Sequence, residues 1–379
     1  MRFSPTSPPD PWAGLGPAEA LAGRVLHQLG VTARLLGREA PADPLDARAL
    51  LLERAALLGH RPDGPVSAGG SCRLLATADG WAAVTLARDD DLDLLPAWLG
   101  VHRDGDAAPW AEVGEVVARW TTAEVVEQGQ LVGLAVAAVP PDDAALVAGD
   151  AQLAARGMLD PRRTHAVTPA GPRAVGAGRA ITGVRVVDLS SLWAGPLCGR
   201  LLAGLGADVV KVESTTRPDG GRRGSPAFFQ GLNGAKRHLS LPLAEPEGRR
   251  ALHELLADAD VVIEGSRPRA LEQLGIDAAA VVGAGPGRVW VSVTAYGRTG
   301  PWRNRVGYGD DAAAAGGLVQ RRPGSPPAFV GDAVADPLAG LVAAGAVAAA
   351  WAAGGGVLVD VALREVARAA AAADLEVGS

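Results

Sequence analysis

The sequence is poor in lysine, cysteine and aromatic residues. Lysine occurs only at Lys211 and Lys236, although arginine is abundant. The two cysteines, Cys72 and Cys198, are far apart and lack the spacing of a metal or redox site, so we expect reduced, buried thiols in a cytoplasmic protein. The six histidines are scattered, without a pair at metal-ligand spacing, and therefore predict no metal site.

Charge and hydropathy exclude several further classes of protein. The net charge of −6 argues against a broad nucleic-acid-binding surface, and 48% hydrophobic residues with 21% charged ones are typical of a globular protein. No charged-then-apolar leader opens the chain. The apolar run 338–353 is too short and too rich in alanine and glycine to predict a membrane span. We expect a protein without nucleic-acid or membrane partners.

Composition and periodicity divide the 379 residues into four parts. Residues 1–65 predict an N-terminal helical segment, and residues 66–159 a small α/β domain that starts with a hairpin. Residues 160–180 are rich in proline, glycine and arginine, which predicts a linker. Residues 181–379 alternate apolar strands with helices, and this order predicts a parallel sheet covered by helices on both faces.

Ligands of such sheets bind beyond the carboxyl ends of the strands. The first junction, "DLSSLWAGPLCG", runs from a strand to a helix that begins with Gly-Pro, which would suit a phosphate. Glu213 ends the next strand, where a nicotinamide-binding fold places its ribose-binding acid. The Gly-x-Gly-x-x-Gly fingerprint is missing, so an ordinary tight junction remains equally open.

Two loops carry clusters of basic residues. The glycine-rich stretch "RPDGGRRGSPAFFQGLNGAKRHLSL" could bind phosphate or could be a solvated surface loop. A shorter loop follows the strand that ends at Glu264, again at a predicted strand end. The basic residues are Arg217, Arg222, Arg223, Lys236 and Arg237 in the first loop, and Arg267 and Arg269 in the second.

Two carboxylates stand at the start of the most apolar stretch of the chain. In "VGDAVADPLAGLVAAGAVAAA", Asp332 and Asp336 lie one helical turn apart before a run of Ala, Val, Gly and Leu. An aspartate before a helix is most often an N-cap. A cap explains one acid at this place and leaves the second without a role.

Four stretches in order resemble the class III (CaiB/BaiF-type) CoA-transferases. They are "GVRVVDLSSLWAGPLCGRLLAGLGADVVKVES", "LNGAKRHLSLPLAEPEGRRALHELLADADVVIEGSRPRALEQLGI", "VSVTAYGRTGPWRNRVGYGDDAAAAGGL" and "VADPLAGLVAAGAVAAA". The resemblance runs from Ile181 to about Arg368 and implies a Rossmann-like CoA-binding domain. "TADGWAAVTLARDDDLDLLPAWLG" resembles the family's small domain, which here precedes the large one, so the resemblance implies a circularly permuted order joined at 160–180.

The resemblance also implies an active site. Asp336 heads the pattern Asp-x-x-small-Gly and corresponds to the family's nucleophile, while Asp332 is the reserve candidate and otherwise an acid favoured at a helix start. Carried over from the family, the CoA contacts are Leu192, Trp193, Ala194, Arg217, Leu241, Gly265, Ser266, Arg267, Thr294, Tyr296 and Tyr308.

The function implied is transfer of CoA from an acyl-CoA to a carboxylic acid through an aspartyl-CoA thioester. Acyl-CoA is then a substrate, no cofactor is permanently bound, and the protein is a homodimer whose chains interlock. The alternatives are an acyl-CoA racemase or isomerase and a catalytically silent acyl-CoA-binding protein. Racemisation is disfavoured because Tyr308 stands where racemases carry a histidine, and a neutral tyrosine is a poor base near pH 7.

Overall fold

The computed structural model describes residues 12, 14–37, 46–102, 105, 107–160, 163–174 and 178–377. The N-terminal segment forms three helices, α1 (Gly16–Leu35), α2 (Ala47–Leu51) and α3 (Glu53–Leu58). The rest of the helical prediction for residues 1–65 lies partly outside the described residues. The α1 helix packs on the core of the large domain, so the segment belongs to that core.

A three-stranded antiparallel sheet forms the small domain. Its strands are β1 (Cys72–Ala76), β2 (Trp81–Thr85) and β3 (Ala135–Val139), in that order, and β1 and β2 form the predicted hairpin. Five helices surround it, namely α4 (Asp89–Asp93), α5 (Leu95–Leu99), α6 (Trp110–Val117), α7 (Thr122–Val132) and α8 (Asp143–Ala155). Thr121 and Glu124 form a capping box at the start of α7.

The large domain is a seven-stranded sheet in the order β4-β12-β9-β8-β5-β6-β7. Its strands are β4 (Ala166–Pro169), β5 (Arg185–Asp188), β6 (Asp208–Ser214), β7 (Arg237–Leu241), β8 (Val261–Glu264), β9 (Val289–Thr294) and β12 (Val357–Ala362). All neighbours are parallel except β4 and β12. The predicted mixed α/β fold, dominated by a parallel sheet, is confirmed.

Nine helices and a short hairpin complete the large domain among the described residues. The helices are α9 (Ala194–Gly204), α10 (Gly221–Gly224), α11 (Pro226–Asn233), α12 (Pro246–Asp258), α13 (Pro268–Gln273), α14 (Ala278–Gly283), α15 (Gly309–Ala315), α16 (Ala335–Ala352) and α17 (Leu363–Val377). The hairpin pairs β10 (Val319–Gln320) with β11 (Ala328–Phe329).

Both faces of the sheet are buried, as expected for parallel strands with near-continuous apolar runs. Neighbouring strand residues alternate between two cores, so Val186 packs beneath α9 and α16 while Val187 packs beneath α12 and α14. The small sheet packs on α15 through a third apolar cluster. The carboxyl ends of the parallel strands therefore lie near the junction with the small domain.

Helix α16 is the central core helix of the first face. By length and composition it could cross a membrane, since it has 18 residues and a mean hydropathy of 1.4, so the sequence argument that the run is too short does not hold. Of this window 72% is buried inside the protein, where α1, α9 and α17 pack around it. The helix is apolar on all sides because it is surrounded by protein.

Part of the predicted linker, residues 160–180, is a strand. Residues 166–169 form β4, which pairs antiparallel with β12 at the edge of the large sheet. Its final residue is Pro169, and proline is tolerated in a strand that pairs on one side only. Residues 160–180 show no periodic apolar face, because an edge strand as short as β4 buries few side chains. The sequence therefore predicted a linker where the structure has a strand.

Both lysines of the sequence are buried in ion pairs at the carboxyl end of the sheet. Lys211 donates to Asp219 at 2.9 Å and also to the backbone carbonyl of Ser190. Lys236 donates to Asp188 at 2.8 Å, and to Asn233 and the carbonyl of Pro196. Lys236 is therefore used within the protein and is not available for a phosphate, one of the two alternatives left open for this loop.

Candidate active site

Asp336 lies in the first turn of α16. Its backbone N–H donates to the carbonyl of Ala333 at 2.8 Å, in a turn where Ala333 takes a left-handed conformation with φ of 45°. Ala335 and Pro337 on either side are buried, whereas Asp336 is only partly buried. The carboxylate is thus a polar group with access to solvent in an apolar wall.

Helix α15 approaches this carboxylate closely through Gly309. A Cβ atom at Gly309 would lie 2.7 Å from Oδ2 of Asp336 and 2.4 Å from the carbonyl oxygen of Ala333. Both distances are shorter than contacts that real Cβ atoms make, so any side chain here would displace the start of α16. Glycine is required at this position for the approach of the two backbones.

Two further carboxylates lie beside Asp336. Asp332 is fully buried, and Asp310 is buried and accepts a hydrogen bond from the backbone N–H of Ala333 at 2.9 Å. Burial raises the pKa of Asp336 to about 7; the charge of Arg54 opposes the rise, and Asp310 and Asp332 add to it. Burial and the Asp332 carboxylate raise the pKa of Asp310 to about 6.

Arg54 neutralises part of this acidic group. Its Nε donates to Oδ2 of Asp332 at 2.8 Å, and Nη2 donates to the other carboxylate oxygen, so the ion pair is bidentate. The guanidinium carbon lies 5.0 Å from the centroid of the Trp193 ring. Asp332, the reserve candidate, is held by Arg54 and buried, which leaves Asp336 as the accessible carboxylate.

The junction between β5 and α9 lies against α16. Trp193 is buried and packs edge-on against Phe228, and a Cβ at Gly340 would lie 2.6 Å from the carbonyl oxygen of Ala194. Leu192 is 44% exposed at the rim of the sheet and donates its N–H to Asp219. Of the three predicted contacts in this loop, Leu192 is the one that faces solvent.

Positive charge gathers beyond the ends of β6 and β8. The half-buried Arg267 has a lowered pKa because it is partly buried and because Arg269, Arg88 and Arg217 lie nearby. Among the described residues, the side chains of Arg217, Arg267 and Arg269 have no ion-pair or hydrogen-bond partner, although the backbones of Arg217 and Arg267 form hydrogen bonds. Arg88 comes from the small domain, just before α4. We call these four residues the arginine cluster.

Two other arginines of the glycine-rich loop are already paired. Arg222 pairs with Glu213 at 2.6 Å and stacks on Phe229, and Arg237 pairs with Asp208. Glu213 also accepts the N–H of Asp219, so it is used within the protein and is not free for a ribose. The acid that a nicotinamide-binding site would need for the ribose is therefore already bound within the protein.

The remaining predicted contacts differ in accessibility. Tyr296 is buried against Trp302, Thr294 accepts the N–H of Gly297, and Leu241 is buried in the core on the other face of the sheet. Gly265 is exposed and Ser266 half-buried at the end of β8. The first three residues are buried in this structure and the β8 end is more exposed, and all five stay predicted contacts.

Tyr308 is half-buried near the arginine cluster. Its N–H donates to Oδ1 of Asp311 at 2.9 Å, and burial raises the pKa of its phenol while the nearby Arg88 opposes the rise. The phenol is neutral at neutral pH. It can donate a hydrogen bond there but is a poor base.

A cavity of about 330 Å³ lies apart from Asp336, between β8 and the helices α13 and α14. Glu264 and Arg298 line it and form an ion pair at 2.7 Å, and Ser292 donates to the same carboxylate oxygen at 2.6 Å. Among the described residues, no three His, Cys, Asp or Glu side chains are arranged to hold a metal ion.

Sequence reasoning missed Arg54, Arg88 and Asp310. Arg54 and Arg88 carry no local signal, because each reaches the site from a distant part of the chain. Asp310 has the same signal as Asp336, an acid within an apolar stretch, in "GDDAAAAGGL". Buried acids in such stretches are rare unless they are paired or functional.

Residues 181–376 match the family model of CoA-transferase family III. The chain belongs to CoA-transferase family III. An acyl-CoA transferase of Fusarium pseudograminearum is 35% identical over 188 residues, which cover 45% of this chain and 41% of that protein. The succinyl-CoA–D-citramalate CoA-transferase of Chloroflexus aurantiacus is 34% identical over 175 residues, covering 44% of each chain.

A crystal structure of a CaiB/BaiF family protein from Brucella suis is also similar. It is 32% identical, with a TM-score of 0.48, and the match covers 52% of this chain and 57% of that one. The chain spans about half the length of the curated relatives it matches.

Proposed function

We propose that the protein transfers CoA from an acyl-CoA donor to a carboxylic acid, with Asp336 as the nucleophile. The observation that carries the proposal is the accessible carboxylate of Asp336 in a buried apolar wall, within the Asp-x-x-small-Gly pattern of the family. Relatives with the same family segment are named CoA-transferases, which supports this reaction class.

The reaction needs no redox partner and balances through two anhydrides. A carboxylate oxygen of Asp336 attacks the thioester carbon of the donor, the C–S bond breaks, and CoA thiolate leaves a mixed anhydride. The thiolate then attacks the aspartyl carbonyl and releases the donor acid, which leaves an aspartyl-CoA thioester. An acceptor carboxylate repeats the two steps in reverse, so the acceptor becomes the new thioester and the Asp336 carboxylate is restored.

The raised pKa of Asp336 suits this role. With a pKa of about 7 the carboxyl is partly ionised at neutral pH, and its ionised form is a stronger nucleophile than an ordinary exposed aspartate.

We propose that the arginine cluster binds the phosphates of CoA. Arg217, Arg267 and Arg269 have cationic groups free for a ligand, and Arg88 adds charge from the small domain. Arginine makes paired, charge-assisted hydrogen bonds to phosphate oxygens. CoA would then lie along the junction of the two domains, with its nucleotide end on the cluster.

We propose further that the two domains stand in permuted order and that the chain forms an interlocked homodimer. The small domain, which contributes Arg88 to the cluster, precedes the segment that matches the family. Light scattering on purified protein measures the subunit number; a monomer at all concentrations would contradict the dimer.

The test of the transfer reaction is capture of the intermediate. The protein is mixed with succinyl-CoA or acetyl-CoA and treated with hydroxylamine, which converts an aspartyl thioester into a hydroxamate. Mass spectrometry should place the hydroxamate on the peptide that contains Asp336, and Asp336→Asn should form none. Asp208→Asn, at the amino end of β6, is the matched control and should react as the unchanged protein does.

Two results would overturn the proposal. One is an Asp336→Asn protein that keeps full transfer activity. The other is tight binding of CoA without any adduct across donors and acceptors, which would favour the silent acyl-CoA-binding protein.

A further inference from the structure

Arg54 reaches the acidic group from α3, outside the residues 181–376 that match the family. Its guanidinium is held on two sides, by the bidentate pair with Asp332 and by the ring of Trp193 at 5.0 Å. The side chain remains 25% exposed, whereas Asp332 is fully buried. The contact therefore joins the N-terminal segment to the turn that leads into α16.

The position of Arg54 is fixed by the residue before it. Glu53 accepts two hydrogen bonds from Arg200 of α9, at 2.6 and 2.7 Å. This fork anchors α3 on α9, the helix whose first turn packs against Gly340 of α16. Arg54 is thus held in place by packing that does not involve Asp336.

Burial raises the pKa of Asp336, and three charged groups and one titratable ring lie around it. Arg54 faces it from α3, Asp310 from α15, and Asp332 from the turn before α16. His60, just after α3, joins the set through Asp332, with 3.9 Å between Nδ1 and Oδ2. Three carboxylates in a desolvated pocket repel each other when they are ionised. Arg54 is the permanently charged cation among the groups that face them.

We propose that Arg54 is a positioning residue of the transfer reaction: held beside Asp336 by its ion pair with Asp332, it supplies the positive charge that allows Asp336 to act as a carboxylate nucleophile at neutral pH. The proposal rests on the proposed function. It assigns the N-terminal segment a part in the chemistry, in addition to its part in the core.

Charge reasoning predicts opposite effects for the two partners of the ion pair. Arg54→Met removes the positive charge, so ionisation of Asp336 should require a pH about 1 unit higher. Asp332→Asn removes a negative charge and leaves Arg54, so ionisation should need a lower pH. The double variant restores the balance and should resemble the unchanged protein, and Arg54→Lys should keep the original pH dependence.

A structural brace would behave differently. If Arg54 only held α3 to the turn, both single variants would lose activity to a similar degree, without moving the pH dependence in opposite directions. Arg48→Met is the matched control, since Arg48 pairs with Glu19 at the surface of the same segment. It should leave the pH dependence unchanged.

Two readouts separate this proposal from the proposed function. The first is the pH dependence of the second-order rate of adduct formation at Asp336 with succinyl-CoA. The second uses no CoA: a diazoacetamide esterifies protonated carboxyls, with transfer of the proton to its carbon and loss of N₂, and mass spectrometry measures the labelled fraction of Asp336 at each pH.

Opposite shifts in the labelling of the two single variants are the expected result. Unshifted labelling in Asp332→Asn and in Arg54→Met overturns the role of Arg54, even if the unchanged protein forms its adduct. Should Arg54→Met fail to fold, as thermal unfolding would show, Arg54→Gln decides, because it keeps hydrogen-bond donors for Asp332 without the charge and should show the same upward shift. An absence of adduct in the unchanged protein, with the labelling shifts present, contradicts CoA transfer and leaves the charge relation of Arg54 and Asp336 standing.

Discussion

Two glycines of helix α16 should respond in opposite ways to the same substitution. A Cβ atom at Gly340 would lie 2.6 Å from the carbonyl oxygen of Ala194 and 3.0 Å from Cβ of Leu197. A Cβ at Gly345 would lie 3.4 Å from a methyl group of Val25, an ordinary contact. Alanine in a helix interior is about 1 kcal/mol more favourable than glycine, and this gain is common to both sites.

The difference between the sites lies in what can move. At Gly340 the neighbour is backbone, so α9 and α16 must separate by about 1 Å to restore normal contact distances. Overpacking of this kind costs about 1–3 kcal/mol, which exceeds the gain in helix propensity. We expect Gly340→Ala to lower the free energy of unfolding, and Gly345→Ala to leave it unchanged or raise it by up to about 1 kcal/mol.

Urea unfolding followed by circular dichroism measures both variants, provided that the dependence on denaturant keeps the same slope. The rate of adduct formation is a second measurement, because Asp336 lies one turn before Gly340 and should be displaced with it. If Gly340→Ala were as stable as Gly345→Ala, the close approach of α9 to α16 would be refuted. The same result would contradict the position that this close approach gives to Asp336.

Two further predictions concern charge. Asp311 is buried, and burial raises its pKa to about 8. The folded state therefore binds the proton of this carboxyl more tightly than the unfolded state does. The free energy of unfolding should fall as pH rises from about 4 to about 8. Asp311→Asn should reduce the difference in unfolding free energy between about pH 5 and about pH 8 by about 3 kcal/mol, and an unchanged difference would contradict the raised pKa. Arg267→Ala should weaken CoA binding about tenfold in calorimetry and lessen the salt dependence of binding. Arg24→Ala, on the exposed side of α1, is the control and should change neither quantity. Equal binding by the two variants would contradict the arginine cluster as the phosphate site.

The sequence predicted those strands and turns that are determined by residues close together in the chain. The parallel strands are apolar on both faces, and the hairpin turns at Asp79-Gly80, so both follow from short-range periodicity and turn chemistry. The start of α16 was predicted from two acids before an apolar run. The match to CoA-transferase family III confirms the resemblance on which the assignment of the family was based.

Long-range contacts could not be predicted in this way. The pair between Arg54 and Asp332 spans 278 residues, and nothing near either residue indicates its partner. The gathering of Arg88 with Arg267 depends on how the small domain packs on the large one. Buried positions such as Tyr296 were predicted as contacts because a resemblance indicates which residues align, not which side chains reach solvent.

The burial of both lysines has a chemical consequence for a member of CoA-transferase family III. Thioesters acylate accessible amines without a catalyst, since a neutral amine is a good nucleophile. Lys211 and Lys236 are enclosed in ion pairs with Asp219 and Asp188, and arginine, which resists deprotonation, supplies the cations of the outer surface. Neither lysine amine of the chain is therefore exposed to acylation by an acyl-CoA.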